Sequence, residues 1–301
     1  MLLLTSEGMI SKSLQEEALK KKLNYQTLNH LQTDLTKQNQ LLPILSQNRP
    51  DNLIHLAAFS GNLNWNQTYP HLTFEYNVRI GLNVFSEWFE YAKAKKAINV
   101  IPSCAYPDYP ILMENMLWKG SCNYTIESHG LARRSIEAYT RQLNKVGARI
   151  INCVVNNSFG EHDSFDPAKT KVIGGLITKF VKAEQNGDKQ VFCWGTGKPL
   201  REFIYCKDVA KCLLMALDNY EDYEEPLNIT SGQEISIKEL AETIAELAGY
   251  KGDIIWDTTK PDGQDRKKLN TKKMEKYINV EFTPLKLGLM NTIKWYRDNQ
   301  C

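Results

Sequence analysis

Two side chains that can move protons near neutral pH stand in short, turn-rich stretches of this 301-residue chain. Cys104 follows an apolar run and precedes Ala105-Tyr106-Pro107, and His162 lies within residues 159–165. A thiol with a pKa of about 8.5 and an imidazole with a pKa of about 6.5 can exchange protons once their surroundings adjust them. The residue types alone leave a plainer interpretation open, in which Cys104 is a small buried apolar residue and His162 is a capped loop residue.

The cysteines and the charge balance exclude several classes of protein. The seven cysteines are odd in number, scattered and without a Cys-x-x-Cys pair, so the sequence predicts neither a zinc site nor a disulfide scaffold. Lys and Arg (37) nearly balance Asp and Glu (35), and a net charge of +2 marks no surface for nucleic acid or membrane. Because neither a secretory signal nor an apolar run of about 18 residues stands out, we expect a cytoplasmic protein without a membrane span.

Short apolar runs alternate with amphipathic, helix-like segments through the first half of the chain. This alternation is typical of βαβ units and predicts an α/β fold with a Rossmann-like, doubly wound parallel sheet. With 42% apolar and 24% charged residues, the composition is that of a globular protein with a substantial core. The predicted strands are residues 1–4, 53–58, 97–101 and 149–155, and the predicted helices are residues 11–22, 78–94 and 130–143.

The second half of the chain has longer polar loops and predicts a smaller mixed α/β domain. The expected division is a Rossmann-like nucleotide-binding domain at residues 1–165, to which residues 204–220 return, and a substrate-binding domain at residues 166–301. We expect the smaller domain to lie over the carboxyl ends of the strands, where open α/β sheets bind ligands. Its predicted helices are residues 174–183, 209–218 and 237–248, the last opened by a Ser236/Glu239 capping box, and a final helix after Thr283-Pro284.

Five ordered stretches of this sequence resemble GDP-L-fucose synthase, an extended short-chain dehydrogenase/reductase that acts on nucleotide sugars. Each stretch alone is a weak signal, but they occur in the family's order and span nearly the whole chain. The stretches are Leu53-Ile54-His55-Leu56-Ala57-Ala58 with Gly61, Ser103-Cys104-Ala105-Tyr106-Pro107, residues 159–165, residues 194–205 and residues 260–267.

This resemblance implies an enzyme that epimerises carbons 3 and 5 of GDP-4-keto-6-deoxymannose and then reduces the 4-keto group with NADPH. The family's acid/base pair is a Cys and a His, and the matching positions are Cys104 and His162. Trp194 and Arg201 match contacts to the sugar nucleotide, and Lys267 matches a basic residue near the pyrophosphate. Arginine suits paired oxygens and indole offers a flat face, although Trp194 could instead pack in the core beside a Gly-rich turn.

The set that performs reduction in the family is changed at all three positions. The resemblance puts Pro102 at the family's Ser, His129 at its Tyr and Arg133 at its Lys. Proline has neither a hydroxyl nor an N–H group, and the neighbouring Ser103 should point to the opposite face of the strand. His129 and Arg133 still share one helical face at i and i+4, so the site is altered rather than emptied. We therefore expect 4-keto reduction to be impaired.

The cofactor loop also departs from the family pattern of Thr-Gly-x-x-Gly-x-x-Gly. The chain reads Thr5-Ser6-Glu7-Gly8-Met9-Ile10-Ser11, one residue short, with Gly8 as the middle glycine and Ser6 and Ser11 in place of the other two. Glu7 adds a negative charge where a pyrophosphate would lie, which opposes its binding. NADPH is thus the cofactor implied by the resemblance, and these residues predict that it binds weakly or not at all.

Three functions remain open from the sequence. The first is a nucleotide-sugar 3,5-epimerase in which NADPH-dependent reduction is impaired or lost. The second is a pseudoenzyme that binds a GDP-sugar or regulates an active paralogue, and the third is an ordinary NADPH-dependent GDP-L-fucose synthase. We also expect a homodimer, or a heterodimer with a paralogue, and no nucleic-acid or membrane partner.

Overall fold

The computed structural model describes residues 1–59, 61, 63–92, 95–167 and 169–300. Apolar, β-branched segments form most of its strands, as the alternating pattern predicted. In chain order the strands are β1 (Leu2–Leu4), β2 (Tyr25–Thr27), β3 (Asn52–His55), β4 (Lys96–Pro102), β5 (Ile111–Leu112), β6 (Arg149–Val155), β7 (Asn157–Phe159), β8 (Gln190–Trp194), β9 (Leu200–Tyr205), β10 (Leu227–Ile229), β11 (Glu234–Ser236), β12 (Asp253–Asp257) and β13 (Arg266–Leu269).

Nine α-helices accompany these strands in the described part of the chain. They are α1 (Met9–Lys20), α2 (Leu42–Asn48), α3 (Leu63–Thr68), α4 (Pro70–Ala92), α5 (Glu127–Lys145), α6 (Val172–Asn186), α7 (Cys206–Asn219), α8 (Ile237–Leu247) and α9 (Leu285–Gln300). Within the same residues, no helix is both long enough and apolar enough to cross a bilayer.

The central sheet is fully parallel and has six strands in the order β2-β1-β3-β4-β6-β10. Successive side chains of its strands are buried on opposite faces of the sheet, as the two-residue period of a strand requires. Leu3 and Leu53 pack with α4 on one face, whereas Leu4 and Ile54 pack with α7 on the other. The strand order reverses between β1 and β3, and the crevice at such a switch point is where open α/β sheets bind ligands. The predicted fold class is confirmed.

A second layer of structure covers the carboxyl ends of these strands. β9 pairs with β7, β11 and β13, while β8 pairs with β12 in parallel. α6, α8 and α9 enclose a separate apolar core around Phe180, Leu240 and Leu289. The Ser236 side chain accepts from the Glu239 backbone N–H at 3.1 Å, and the Glu239 carboxylate accepts from the Ser236 N–H at 3.0 Å, so the predicted capping box is present at the start of α8.

Residues beyond 165 contribute to both cores. α7 packs its Val209 and Leu213 side chains on the central sheet, which is where the predicted return of residues 204–220 would place them. β10 also pairs with β6 in that sheet, although the predicted boundaries assign residues 227–229 to the smaller domain. The two parts of the chain are therefore interleaved. Residues 93 and 94, at the end of one predicted helix, lie outside the described residues, as does Cys301.

Candidate active site

A cleft of about 330 Å³ opens between β7, the start of α6 and the loops that follow β8 and β12. It is mostly apolar but carries charged groups of both signs, as expected of a site that orients a polar ligand. Its lining residues are Asn157, Ser158, Phe159, Asp163, Lys171, Val172, Ile173, Trp194, Gly197, Pro199, Arg201, Phe203, Ile237, Pro261, Asp262 and Gly263. Two of the predicted ligand contacts, Trp194 and Arg201, are among them.

One wall of the cleft is a pair of loops clasped by Asp262. Its carboxylate accepts from the Thr196 backbone N–H at 2.8 Å and from the Thr196 hydroxyl at 2.6 Å. Gly195 has a φ of 78°, and a side chain there would clash with the Asp262 carboxylate, so only glycine fits this turn. The clasp leaves Trp194 with 71% of its side chain exposed, so it is a surface indole at the cleft and not part of the core.

Two basic residues of the predicted set lie on neighbouring strands in this wall. Arg201 on β9 pairs in register with Lys267 on β13. Burial lowers the pKa of Arg201, against the opposing charges of Asp265, Asp108 and Asp262, and burial likewise lowers the pKa of Lys267. The charge of Lys267 also acts on Cys104, which connects this pair to the predicted acid/base position. Two partly desolvated cations side by side favour an anionic ligand.

Cys104 lies in a single 3-10 turn, Ser103–Ala105, directly after β4. Its side chain is half-buried, and burial raises the pKa of its thiol, while the nearby charges of Lys267, Lys171 and Arg133 favour the thiolate. Gly130 of α5 packs so closely that a Cβ there would come within 2.8 Å of the Cys104 carbonyl oxygen. The thiol is thus held between the end of the sheet and the first turns of α5, among cations.

His162 lies in the loop after β7, in contact with α9 and α1. Its ring packs edge-on against Trp295 of α9 with centroids 4.8 Å apart, and its Nδ1 lies 3.4 Å from the Nζ of Lys12 on α1. The loop reaches this position through left-handed backbone at His162, with a φ of 66°. The charges that act on His162 are those of Lys12, Glu16, Glu161 and Lys207, not those that act on Cys104. The pairing of His162 with Cys104 stays a prediction, and the contacts of the ring are with α1 and α9.

Lys171, which sequence reasoning had not singled out, lies at the start of α6. It lines the cleft, is exposed, and its charge acts on Cys104, His129 and Asp163. It occupies the N-cap position of α6 and makes no capping hydrogen bond. A lysine is a poor residue for this position, where Ser, Thr, Asp and Asn cap best and the helix dipole favours negative charge. That unfavourable choice is the sequence signal that could have singled out Lys171.

His129 and Arg133 lie one turn apart on α5, as predicted, and both are desolvated. Burial, together with the charges of Arg133 and Lys171, lowers the pKa of His129 to about 3, so its ring is neutral. Arg133 is 2% exposed, and burial lowers its pKa to about 10. Its Nη2 donates to the Ala57 carbonyl at 2.9 Å, and its Nη1 lies 3.4 Å from Nε2 of His55, which sequence reasoning had not singled out. Arg133 therefore joins α5 to the loop after β3, at the switch point of the sheet.

The third position of the reductive set holds no usable donor. Pro102 is the last residue of β4, paired with Val155. The adjacent Ser103 is 4% exposed and donates its hydroxyl to the Asn156 side-chain oxygen at 3.0 Å. Ser103 therefore stays engaged in the sheet and does not substitute for the hydroxyl that Pro102 lacks.

The loop after β1 does not fit a dinucleotide well. Ser6 Oγ accepts from the Gly8 N–H at 3.1 Å, so this donor at the start of α1 is already engaged. Glu7 is exposed beside it, and Ser11 is buried with its hydroxyl unpartnered. An acidic side chain and an occupied donor oppose the phosphate binding that a helix N-terminus otherwise favours. This loop therefore fits the diphosphate of NADPH poorly, and Pro102 and His129 stand in place of the hydroxyl-bearing residues of the family's reductive set.

Comparisons with known proteins agree with this architecture. Residues 4–230 match the model of the NAD dependent epimerase/dehydratase family. GDP-L-fucose synthase 1 of Arabidopsis thaliana is 35% identical over 302 residues, covering 97% of this chain and 90% of the relative. GDP-L-colitose synthase of Yersinia pseudotuberculosis is 26% identical over 299 residues, which cover 98% of this chain and 97% of the relative.

A solved structure supports the same relationship. The GDP-L-fucose synthetase of Naegleria fowleri bound to NADP superposes with a TM-score of 0.90 at 28% identity, over 99% of this chain and 94% of that chain. These relatives match almost the whole sequence, and the solved structure shares its overall fold. This chain belongs to the GDP-L-fucose synthase-like group of extended short-chain dehydrogenases/reductases, within the NAD dependent epimerase/dehydratase family.

Proposed function

We propose that this protein binds a GDP-4-keto-6-deoxy sugar and moves protons at the carbons beside the keto group, without the hydride transfer that completes the reaction in the family. One observation carries the proposal. The charge of Lys171, which lines the cleft, acts on the thiol of Cys104, whereas Pro102 and His129 replace the Ser and Tyr of the reductive set. The activities named for the relatives support the substrate class.

The cleft suits a nucleoside diphosphate sugar. Lys171 and Arg201 line it, and Lys267 lies beside Arg201 on the next strand, so three cations can meet the diphosphate. Trp194 offers an exposed indole face to a base or a sugar ring. In this proposal the ligand lies between the clasped loop of Gly195 and the start of α6, with its sugar toward Cys104.

Proton transfer next to a carbonyl needs an acid and a base. In this proposal the neutral amine form of Lys171 removes the proton from carbon 3 or 5, and the electrons of that C–H bond form an enolate with carbon 4. The Cys104 thiol, whose pKa is raised by burial, then gives its proton to the same carbon from the other face. Solvent restores both groups, and no electrons leave the sugar, so the change is an epimerisation.

The experiment is a proton NMR time course in D2O with GDP-4-keto-6-deoxymannose and no NADPH. The expected result is loss of the carbon-3 or carbon-5 proton signal, slowed by about 10²-fold to 10⁴-fold in Cys104→Ala. Cys122→Ala is the matched control, since Cys122 is a buried thiol that donates to the Ala105 carbonyl beside the same turn.

The base is identified by comparing Lys171→Met with His162→Phe. We expect Lys171→Met to slow exchange and His162→Phe to leave it unchanged. The reverse result would restore His162 as the base. Binding of the GDP-sugar with no exchange in the wild type would contradict the epimerase and identify a pseudoenzyme that keeps the ligand site.

An exposed apolar stripe supports the expected association with a second copy or a paralogue. Phe74 and Leu82 on α4 and Leu131 on α5 are 40%, 39% and 38% exposed, and the two helices pack together along one face of the sheet. Such a stripe is typical of a helical interface. Leu82→Glu is expected to shift the protein to monomers in sedimentation, and an unchanged mass would contradict this association.

A further inference from the structure

One buried carboxyl group behind the cleft takes no part in the proton transfer proposed above. Glu202, on β9, is 0% exposed. Its Oε2 accepts from the Asn156 side-chain amide at 2.7 Å, from the Thr230 hydroxyl at 3.1 Å and from the Leu269 backbone N–H at 2.8 Å. Its Oε1 has no hydrogen-bond partner among the residues that the structure describes. Buried polar atoms are nearly always paired, so this side chain calls for an explanation.

Stability is a weak explanation for a glutamate at this position. Burial raises the pKa of Glu202, while its three hydrogen bonds and the charge of Lys268 act in the opposite direction without cancelling the effect of burial. Buried charged groups can often be replaced by apolar residues of similar volume with no loss of stability. The geometry that this carboxyl group imposes on its partners is therefore the better explanation.

The three hydrogen-bond donors to Glu202 come from the carboxyl ends of three strands. Asn156 directly follows β6, Thr230 directly follows β10, and Leu269 is the last residue of β13. β6 and β10 belong to the central parallel sheet, whereas β13 and β9 belong to the layer that covers it. A single carboxylate oxygen thus joins the two layers at the level of the cleft.

This network continues to the turn that carries Cys104. The Asn156 side chain uses its Nδ2 for Glu202 and its Oδ1 for the Ser103 hydroxyl, which donates at 3.0 Å. Asn156 and Ser103 are 3% and 4% exposed, and Ser103 is the first residue of the 3-10 turn Ser103–Ala105. One buried amide therefore separates Glu202 from the residue next to the thiol.

The network also holds the two strands that carry the Arg201/Lys267 pair. Arg201 precedes Glu202 on β9, and because successive side chains of a strand point to opposite faces, Arg201 lines the cleft while Glu202 is buried behind it. Lys267 lies two residues before Leu269 on β13. Glu202 therefore connects the strands of both cations to the strand ends beside Cys104.

We propose that Glu202 is a positioning residue, which fixes the Cys104 turn relative to the Arg201/Lys267 pair. The pair holds the diphosphate and the thiol must meet a sugar carbon, so a displacement of about 1 Å between them slows proton transfer by about 100-fold while the diphosphate still binds. The inference rests on the proposed function, because it names the group that sets the distance between the two halves of that site.

The test compares Glu202→Gln with a matched control, Glu87→Gln. Glu87 on α4 is 5% exposed, and its carboxylate accepts from three backbone N–H groups in the segment before α2, those of Asn39, Leu41 and Leu42. Each substitution removes a buried carboxylate with three donors, so urea denaturation should show similar losses of stability. Calorimetry should show unchanged affinity for GDP in both variants.

We expect the two variants to differ in the exchange of sugar protons with D2O. Glu202→Gln should lower kcat for loss of the carbon-3 or carbon-5 proton by about 10-fold to 100-fold without changing KM, and Glu87→Gln should change neither. Ser103→Ala breaks the same network beside Cys104 and should act alike. Because residues of one network are not additive, the double variant Glu202→Gln/Ser103→Ala should be no slower than the slower single variant, and multiplied effects would contradict the network.

Alkylation of Cys104 provides a readout that does not depend on turnover. Iodoacetamide is added to the folded proteins without ligand, and the modified peptide is followed by mass spectrometry, with the buried Cys122 as the internal reference. A loosened turn exposes the thiol, so Glu202→Gln and Ser103→Ala should each be alkylated about threefold faster than the wild type or more, and Glu87→Gln at the wild-type rate. Ser103→Ala keeps this comparison decisive if Glu202→Gln does not fold.

The outcomes separate this inference from the proposed function. If the wild type exchanges sugar protons but the Glu202 and Ser103 variants match Glu87→Gln in exchange and alkylation, the positioning role is overturned and the proposed function stands. If the wild type exchanges no sugar protons, the proposed function fails, and this inference fails with it.

Discussion

Replacing Arg133 by methionine should not destabilise the protein, although the side chain is buried at the centre of the molecule. Arg133 is 2% exposed and has one good hydrogen bond, from its Nη2 to the Ala57 carbonyl at 2.9 Å. Replacement of a buried charge by an apolar side chain of similar volume is often neutral or stabilising when few polar contacts are lost. A ligand-binding role would explain why such a residue is present.

The magnitude follows from two opposing contributions. Burial lowers the pKa of Arg133 well below its usual range, to about 10, which corresponds to roughly 3 kcal/mol of unfavourable free energy for the charged side chain. Loss of a charged donor from the Ala57 carbonyl removes about 1.5–3 kcal/mol. The difference between these two contributions predicts that the free energy of unfolding of Arg133→Met equals that of the wild type or exceeds it by about 1 kcal/mol.

Urea denaturation at pH 7.5 followed by circular dichroism measures this difference, with Arg134→Met as the matched control. Arg134 holds two carbonyls and lies over Trp118, so its loss should destabilise the fold by about 2 kcal/mol. Arg133→Met destabilised by 2 kcal/mol or more, as much as the control, would refute the view that the fold does not need this guanidinium.

Three further outcomes are expected. First, the pKa of His129 is about 3 in the folded protein against 6.5 unfolded, so the unfolded chain binds more protons between these values and stability falls with pH in that window. Between pH 6.5 and pH 5 the wild type should lose about 2 kcal/mol more than His129→Phe in urea titrations, and equal losses would contradict the buried neutral ring. Second, Arg201→Leu should weaken GDP binding by about 10-fold to 100-fold in calorimetry, while Arg297→Leu, which removes an ion pair to Glu184 on the far helices, should not. Third, Asp262→Ala should release the clasped loop and reduce the change in Trp194 fluorescence on GDP binding, and an unchanged response would show that the clasp does not position the indole.

The main sheet could be predicted because its strands are apolar runs. Residues 149–155 match β6 at both ends, and the other three predicted strands match to within three residues. β2, with the sequence Tyr-Gln-Thr, is too short and too polar for periodicity to detect. β13 is formed by Arg-Lys-Lys-Leu and is held by ion pairs of Arg266 and Lys268 with Glu234, which no hydrophobic pattern encodes.

The site was predictable where residues lie on regular elements and not where a loop decides. His129 and Arg133 share a helical face because of their spacing, and Arg201 and Lys267 face each other through strand pairing. The position of the His162 ring depends on left-handed backbone in a loop, which the sequence does not reveal. The charge of Lys171 acts on Cys104, and the unfavourable place of this lysine at a helix N-cap is the feature of the sequence that could have indicated it.

The measurement that tests the central claim most directly follows both half-reactions in one tube. GDP-4-keto-6-deoxymannose and NADPH are added to the protein in D2O, and the carbon-3 and carbon-5 proton signals are recorded together with the absorbance of NADPH. Retention of proton transfer without hydride transfer predicts that the sugar signals disappear while NADPH is not consumed. Consumption of NADPH with formation of a 4-hydroxy sugar would contradict the account, because Pro102, His129 and Arg133 would then support reduction after all.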